Sequence, residues 1–310
     1  MASDVPVVTA ADLRGGSARR RREATIRRLF GLAAFVSIVI SGVIIVSLIG
    51  HAIEFLQQIQ LSWLFADGWF PRRNEFSIAT VFVGSLIVGG IAMLVAIPLG
   101  LGSAIYLAEY ARPERRRILK PIVELLAGVP SIVIGFFALT VISPDIVQRL
   151  FSSATFFSLM SAGIGVGILA TPLVATVAED ALRAVPGSLR EGAYGLGARR
   201  RATSLRVVVP AATSGIVAAV ILGLSRTIGE TMVVLIAAGG TGGSALTFNP
   251  LGPGQTVTGA MAALAFGSDQ VKGSTAAFSS LFFLGLLLFL GTFVLNVTSE
   301  RFVRRARRHA

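Results

Sequence analysis

Cysteine is absent from the 310-residue chain, which excludes disulfides, thiol nucleophiles and thiolate metal centres. Histidine is reduced to His51 and His309, far apart and without a carboxylate cluster beside either, so no metal site assembles from them. They are expected to be solvated loop and tail residues. Lysine is reduced to Lys120 and Lys272, neither of which follows a glycine, so there is no Walker-type phosphate loop and no ATPase within this chain. With few acids as well, no nucleophile, base or metal set converges, which argues against an enzyme. Charged residues make up 14% of the chain against 54% hydrophobic ones, and the mean hydropathy is strongly positive. That is too little charge to coat a soluble domain, so the main solvent is lipid.

What the chain has in abundance is uncharged length. Bilayer hydrocarbon is about 30 Å thick, so a spanning helix needs roughly 20 apolar residues. Six such windows run from Leu29 to Ile49, Phe76 to Ala108, Leu125 to Ser143, Phe151 to Ala178, Val207 to Ser225 with a polar extension, and Gly273 to Ser299. They predict an all-α integral membrane protein with about six transmembrane helices, kinked or tilted where Pro98, Pro130 and Pro172 fall. Basic residues give the orientation. The N-terminal tail carries seven, the second-to-third connection five, the fourth-to-fifth six and the C-terminal tail five, against two, one and one in the other loops. Loops rich in Lys and Arg stay cytoplasmic, so both termini are expected there. Residues 1–28 then form a basic tail, 29–300 the membrane domain and 301–310 a second basic tail. The net charge of +12 is accounted for by topology, and nucleic acid is set aside. A cleaved signal peptide competes for the start, because Gly50-His51-Ala52 has the small residues of a cleavage site. The apolar stretch of 21 residues exceeds the roughly 7–15 of such segments, so it is read as the first span. Arg19 to Arg22 in the tail suit anionic lipid headgroups.

The cytoplasmic stretch 179–207 contains Glu191-Gly192-Ala193-Tyr194-Gly195-Leu196-Gly197, followed after nine residues by Val207-Val208-Val209-Pro210. Apolar Leu182, Val185, Leu189, Tyr194 and Leu196 among arginines predict short surface helices, broken at Gly195 and Gly197, that dock on a soluble partner or lie on the membrane. Pro210 is suited to the first turn of the next span. This stretch resembles the permease subunits of ABC importers, whose signature is Glu-Ala-Ala, three residues, Gly, nine residues, then Ile-x-Leu-Pro. Glu191, Gly192, Ala193, Gly197, Val207, Val209 and Pro210 match it in spacing, with three substitutions that keep size and apolarity. The resemblance implies a type I importer permease fold and a coupling helix at Glu191 to Gly197 that inserts into a separate ATPase subunit. ATP and Mg would be bound there and no cofactor held here.

Charges inside a bilayer cost at least about 2.5–3.5 kcal/mol on insertion scales. Arg226 and Glu230 follow the fifth window at four-residue spacing, on one helix face. Glu124 opens the third, in Glu124-Leu125-Leu126-Ala127-Gly128-Val129-Pro130-Ser131. One reading is a structural ion pair of Arg226 with Glu230 or with Glu124. The other is an anion site at Arg226 with Ser131, Thr227 or Thr231 as donors. Pro130, Gly128 and Gly135 predict a broken helix, a packing kink or a cavity lining. Gly239 to Ser244 reads as a flexible outer loop.

Pro98 to Gly102, Tyr106 to Tyr110, Glu124 to Ser131, Ser225 to Met232 and Asn249-Pro250-Leu251 together resemble the permeases of phosphate-specific importers, the C-type more than its A-type partner. The resemblance implies inorganic phosphate as substrate, an extracytoplasmic phosphate-binding protein, a second homologous permease and an ATPase dimer. In that family Arg226, Glu230 and Glu124 occupy motif positions, which makes them candidates for the translocation gate. A permease for sulfate or molybdate and an ion-coupled secondary transporter are the rival readings.

Overall fold

The computed structural model describes residues 17–240, 242–267 and 275–306. Most of the N-terminal tail, Lys272 with the first residues of the sixth window, and the last four residues with His309 lie outside them. Two compact units divide the chain after Gly50. The first consists of the long helix α1, Ser17–Gln58, up to that point. Its apolar residues from Leu29 to Val46 are largely exposed, Phe30 at 72%, as a helix solvated by acyl chains requires.

The second unit begins with the end of α1 and continues through a short segment with strands β1 (Gly68–Phe70) and β2 (Glu75–Phe76). There follow α2 (Ile78–Tyr110), α3 (Pro113–Ala127), α4 (Ser131–Leu150), α5 (Leu159–Arg183), α6 (Gly187–Gly195), α7 (Arg200–Ala211), α8 (Thr213–Ile228) and α9 (Met232–Ala237). Strand β3 (Ser244–Ala245), α10 (Val257–Ala265) and α11 (Thr275–Ala306) complete it. Among the described residues, helices within α1, α2, α4, α5 and α11 are long and apolar enough to cross a membrane, and the bent pair α7 and α8, taken together as one span, is a sixth candidate.

Small residues let the central pair, α2 and α5, approach closely. A Cβ added at Gly163 would lie 2.7 Å from Ile91, and one at Gly167 2.7 Å from Val95 and 2.8 Å from the Ala92 carbonyl. Ser158 starts α5 by accepting the Ser161 N–H at 3.1 Å, the N-cap arrangement. Strand β1 pairs antiparallel with both β2 and β3 over a core of Phe55, Trp69, Phe76, Leu264 and Leu284. His51 is not a solvated loop residue: it lies in α1 and stacks on Phe282 with ring centroids 4.3 Å apart.

Several windows shift. The third span starts at Ser131, because Gly128 caps α3 and Pro130, lacking an N–H, breaks the helix. Leu125 and Leu126 belong to a separate amphipathic helix that buries no residue. The fourth span starts at Leu159 and extends to Arg183. The fifth bends by 71° between α7 and α8. Pro210 therefore sits just before the bend, and the spanning part begins at Thr213. The loop after Gly240, expected to be flexible, is tied down by β3, by a hydrogen bond from the Gln255 amide to the Gly240 carbonyl, and by α10, whose residues from Val257 to Ala260 are buried.

The glycine contacts make a direct prediction. Gly167→Ala is expected to force α2 and α5 apart, at about 1–3 kcal/mol of overpacking, and to lower the thermal midpoint of the detergent-solubilised protein. Gly102→Ala, on the same helix pair but with nothing within 4 Å of an added Cβ, is expected to leave it unchanged.

Candidate functional site

The signature loop is α6 with the turn that follows it. Gly197 adopts φ +78° and donates to the Tyr194 carbonyl at 2.9 Å, and Ala198 reaches back to the Ala193 carbonyl at 3.0 Å. This left-handed C-cap is the reason a glycine stands at that point of the signature. Glu191 and Gly192 are exposed, Ala193 is half-buried, and Leu196 stands 91% exposed at the tip. An apolar side chain so presented, with a nearby carboxylate, suits a protein partner.

The loop is held to the membrane domain by charge. Arg190, next to Glu191, points its Nη2 and Nε at Glu109 Oε1 at 2.9 and 3.2 Å. The same guanidinium donates to the Val185 and Leu182 carbonyls at 2.6 and 2.8 Å, satisfying the open C-terminal end of α5. On the far side of the loop, Arg200 donates through Nε to the Glu109 backbone carbonyl at 2.8 Å and through Nη2 to the same oxygen, and lies over the Tyr110 ring. Glu109 is buried in a wide π-type turn, Tyr106–Tyr110, that ends α2.

A second buried carboxylate, Glu179 near the end of α5, draws in α3. Arg116 Nη2 lies 2.6 Å from Glu179 Oε1 and Lys120 Nζ 3.1 Å from Oε2, while Asp180 adds a contact to Lys120 at 3.4 Å. Burial works against the Lys120 ammonium, but hydrogen bonds and charge attraction from Glu179 and then Asp180 outweigh it and raise its pKa above the ordinary lysine value.

Within the span, Arg226 Nη1 pairs with Glu230 Oε2 at 3.2 Å, the arginine half-exposed and the carboxylate 4% exposed. Of the two pairings open to Arg226, the structure forms this one. Glu124 instead sits in the last turn of α3, outside the span, its side chain half-exposed and 3.9 Å from Lys120. The pair straddles a break: α8 ends at Ile228 and α9 begins at Met232. Thr258 of α10 donates to the Glu230 carbonyl at 2.7 Å. Thr231 and Thr227 bond locally, to the Gly229 and Leu224 carbonyls. Ser131 is half-buried in the first turn of α4, whose Gly135 lies so close to α9 that a Cβ there would be 3.2 Å from the Met232 carbonyl. Two helices restarted after breaks, α4 and α9, therefore pack together.

The sequence pointed to Arg226, Glu230 and the signature, and passed over Glu109, Glu179, Arg190 and Arg116. A signal existed: Glu109 and Glu179 are the acids that close two long apolar runs on a side of the membrane otherwise crowded with arginine.

Residues 96–308 match the family described as binding-protein-dependent transport system inner membrane component. The chain is 30% identical to the phosphate transport system permease protein PstC of Mesorhizobium japonicum, covering 93% of this chain and 94% of that protein. It is 37% identical to the probable ABC transporter permease protein YqgH of Bacillus subtilis over 58% of this chain and 59% of that one. Among solved structures, the bacterial ABC transporter involved in the import of the acidic polysaccharide alginate shares the fold at a TM-score of 0.61 and 17% identity, covering 92% of this chain and 99% of that one. The MetNI methionine ABC transporter in an inward-facing conformation gives a TM-score of 0.52 at 17% identity, over 72% of this chain and 91% of that one.

The Glu179 cluster makes an asymmetric prediction. Replacing Arg116 and Lys120 together by Met strands a buried carboxylate and is expected to cost about 3 kcal/mol. Glu179→Gln leaves two cations that reach water, and is expected to cost no more than about 1 kcal/mol. Thermal midpoints of the two variants in detergent give the order.

Proposed function

The chain belongs to the binding-protein-dependent transport system inner membrane components, and we propose that it forms, with a second homologous permease, the ATP-driven uptake pathway for inorganic phosphate across the plasma membrane. The observation that carries the coupling half of this reading is the signature loop: its tip, Leu196, is exposed while its two flanks are clamped by Arg190 and Arg200. Such a loop takes up a push from outside and passes it on. The ATPase dimer that pushes it holds ATP and Mg, and an extracytoplasmic phosphate-binding protein delivers the substrate. Both termini and the loop face the cytoplasm, following the basic residues.

Phosphate as substrate rests on the relatives called phosphate transport system permeases and on Arg226. Its guanidinium is half-exposed and only partly engaged by the buried Glu230 carboxylate. A guanidinium fork matches an oxyanion in two parallel hydrogen bonds. In the empty pathway Glu230 neutralises the arginine, so the charge is tolerated within the bilayer. An arriving oxyanion takes over the outer face of the guanidinium, and the pair re-forms after its departure.

Two sets of variants test the halves separately. Glu191→Arg, or deletion of Ala193, is expected to abolish ATP-driven uptake with membrane insertion intact; ATP hydrolysis still coupled to uptake would overturn the loop's role. Arg226→Ala is expected to remove phosphate uptake by the reconstituted complex, read as labelled phosphate in proteoliposomes. Unchanged kinetics would exclude it as gate or ligand. Affinity purification of the tagged chain, followed by ATP hydrolysis with phosphate, sulfate or molybdate and the matching binding protein, identifies the substrate. Stimulation by sulfate or molybdate alone would reassign it.

A further inference from the structure

The signature helix α6 buries none of its residues. Apolar packing therefore gives it little grip on the membrane domain, and a displacement leaves it mainly through the chain or through polar contacts. The chain leads back into α5 and forward into α7. It does not lead to α2. Yet arginines on both sides of the loop end on one residue at the tip of α2: Arg190 on the Glu109 carboxylate and Arg200 on the Glu109 carbonyl.

The other end of the line lies inside the membrane. Ser85, on α2, accepts the backbone N–H of Val257 at 3.0 Å at the start of α10. A Cβ at Gly84 would overlap the Gln255 carbonyl, so α2 and this segment are in backbone contact. One residue on, Thr258 holds the Glu230 carbonyl at 2.7 Å, and Glu230 holds Arg226. From Glu109 to Ser85 the helix spans roughly 36 Å at 1.5 Å per residue, with both ends fixed by hydrogen bonds.

We propose that α2 is the rod through which the signature loop moves the Arg226–Glu230 pair, with Glu109 as the positioning residue that joins rod to loop. This rests on the importer reading above. Buried ion pairs contribute little net stability and are better suited to fixing register, which is the property a joint needs. The Glu109 joint stays closed throughout the transport cycle, so a covalent link serves as well as the ionic one.

The test uses the complete reconstituted complex in proteoliposomes and reads phosphate moved per ATP hydrolysed. Glu109→Gln keeps shape and hydrogen-bonding capacity but removes the charge. Glu109→Cys combined with Arg190→Cys removes the ionic half of the joint, leaving Arg200 on the carbonyl of residue 109, in a chain that has no other cysteine. Either is expected to lower phosphate moved per ATP by about tenfold while hydrolysis continues. Bridging the two cysteines with a short bis-maleimide is expected to restore the ratio, and Ser85→Ala to lower it from the other end. A ratio in Glu109→Gln equal to that of the unsubstituted complex would overturn the proposal, as would a cross-link that fails to raise it. Should the cysteine pair fail to assemble, Glu109→Gln and Ser85→Ala decide. If the unsubstituted complex moves no phosphate with ATP, the importer reading itself fails, independently of the joint.

Discussion

Two carboxylates buried at the ends of apolar helices, one meeting the signature loop and the other α3, organise the working side of this protein. A buried carboxylate without a partner is very costly, so Glu109 and Glu179 draw cations from whatever segments lie within reach. Glu109 collects Arg190 from the signature helix, while its backbone carbonyl separately accepts from Arg200 beyond the loop. Glu179 collects Arg116 and Lys120 from α3. The helices that supply the carboxylates' partners bury little or no apolar surface: neither α3 nor α6 contains a buried residue. Their attachment is electrostatic, and it is directional in a way that hydrophobic contact is not.

The membrane interior is held in the opposite way. Close approach of α2 and α5 through Gly163 and Gly167 relies on packing alone, since lipid and leucine are equally apolar. Hydroxyls such as those of Ser85, Thr140, Thr171 and Thr292 donate to carbonyls of their own helices. Where the backbone breaks, between α8 and α9, Thr258 takes up the Glu230 carbonyl and the Glu230 side chain takes up Arg226. The break is tolerated because protein covers it, the condition under which irregular backbone survives at membrane depth. It also concentrates strong electrostatics at one point of the span, next to a helix, α10, held by α2.

Six windows, the alternation of basic residues and the signature spacing were all legible, because each depends on composition or on separations of a few residues. Limits appeared where local apolarity misleads. Leu125 and Leu126 looked like the start of a span, but they lie on a separate amphipathic helix ended by Gly128 and Pro130. Val207 to Ala211 looked continuous with the fifth span, yet a 71° bend separates them. The nine residues of α10 are too short for any spanning window, and only their burial against α11, α9 and α2 marks them as interior. Glu124 was grouped with Arg226 on its charge and on the family resemblance, whereas the helix break between Glu124 and the span places it beside Lys120.

Membrane residence, the candidate spans, the alternation of basic loops and the loop that carries the signature are all written in the order of the residues. Those properties are sums over neighbours in the chain. Which carboxylate each arginine meets depends on the folded arrangement. Arg190 and Glu109 are 81 residues apart and Arg116 and Glu179 are 63 apart, and no local pattern encodes such a meeting. It exists because α2 and α5 pack tightly along their glycines and bring their acidic ends to the same face of the membrane, where the arginines of the intervening loops are the nearest charge.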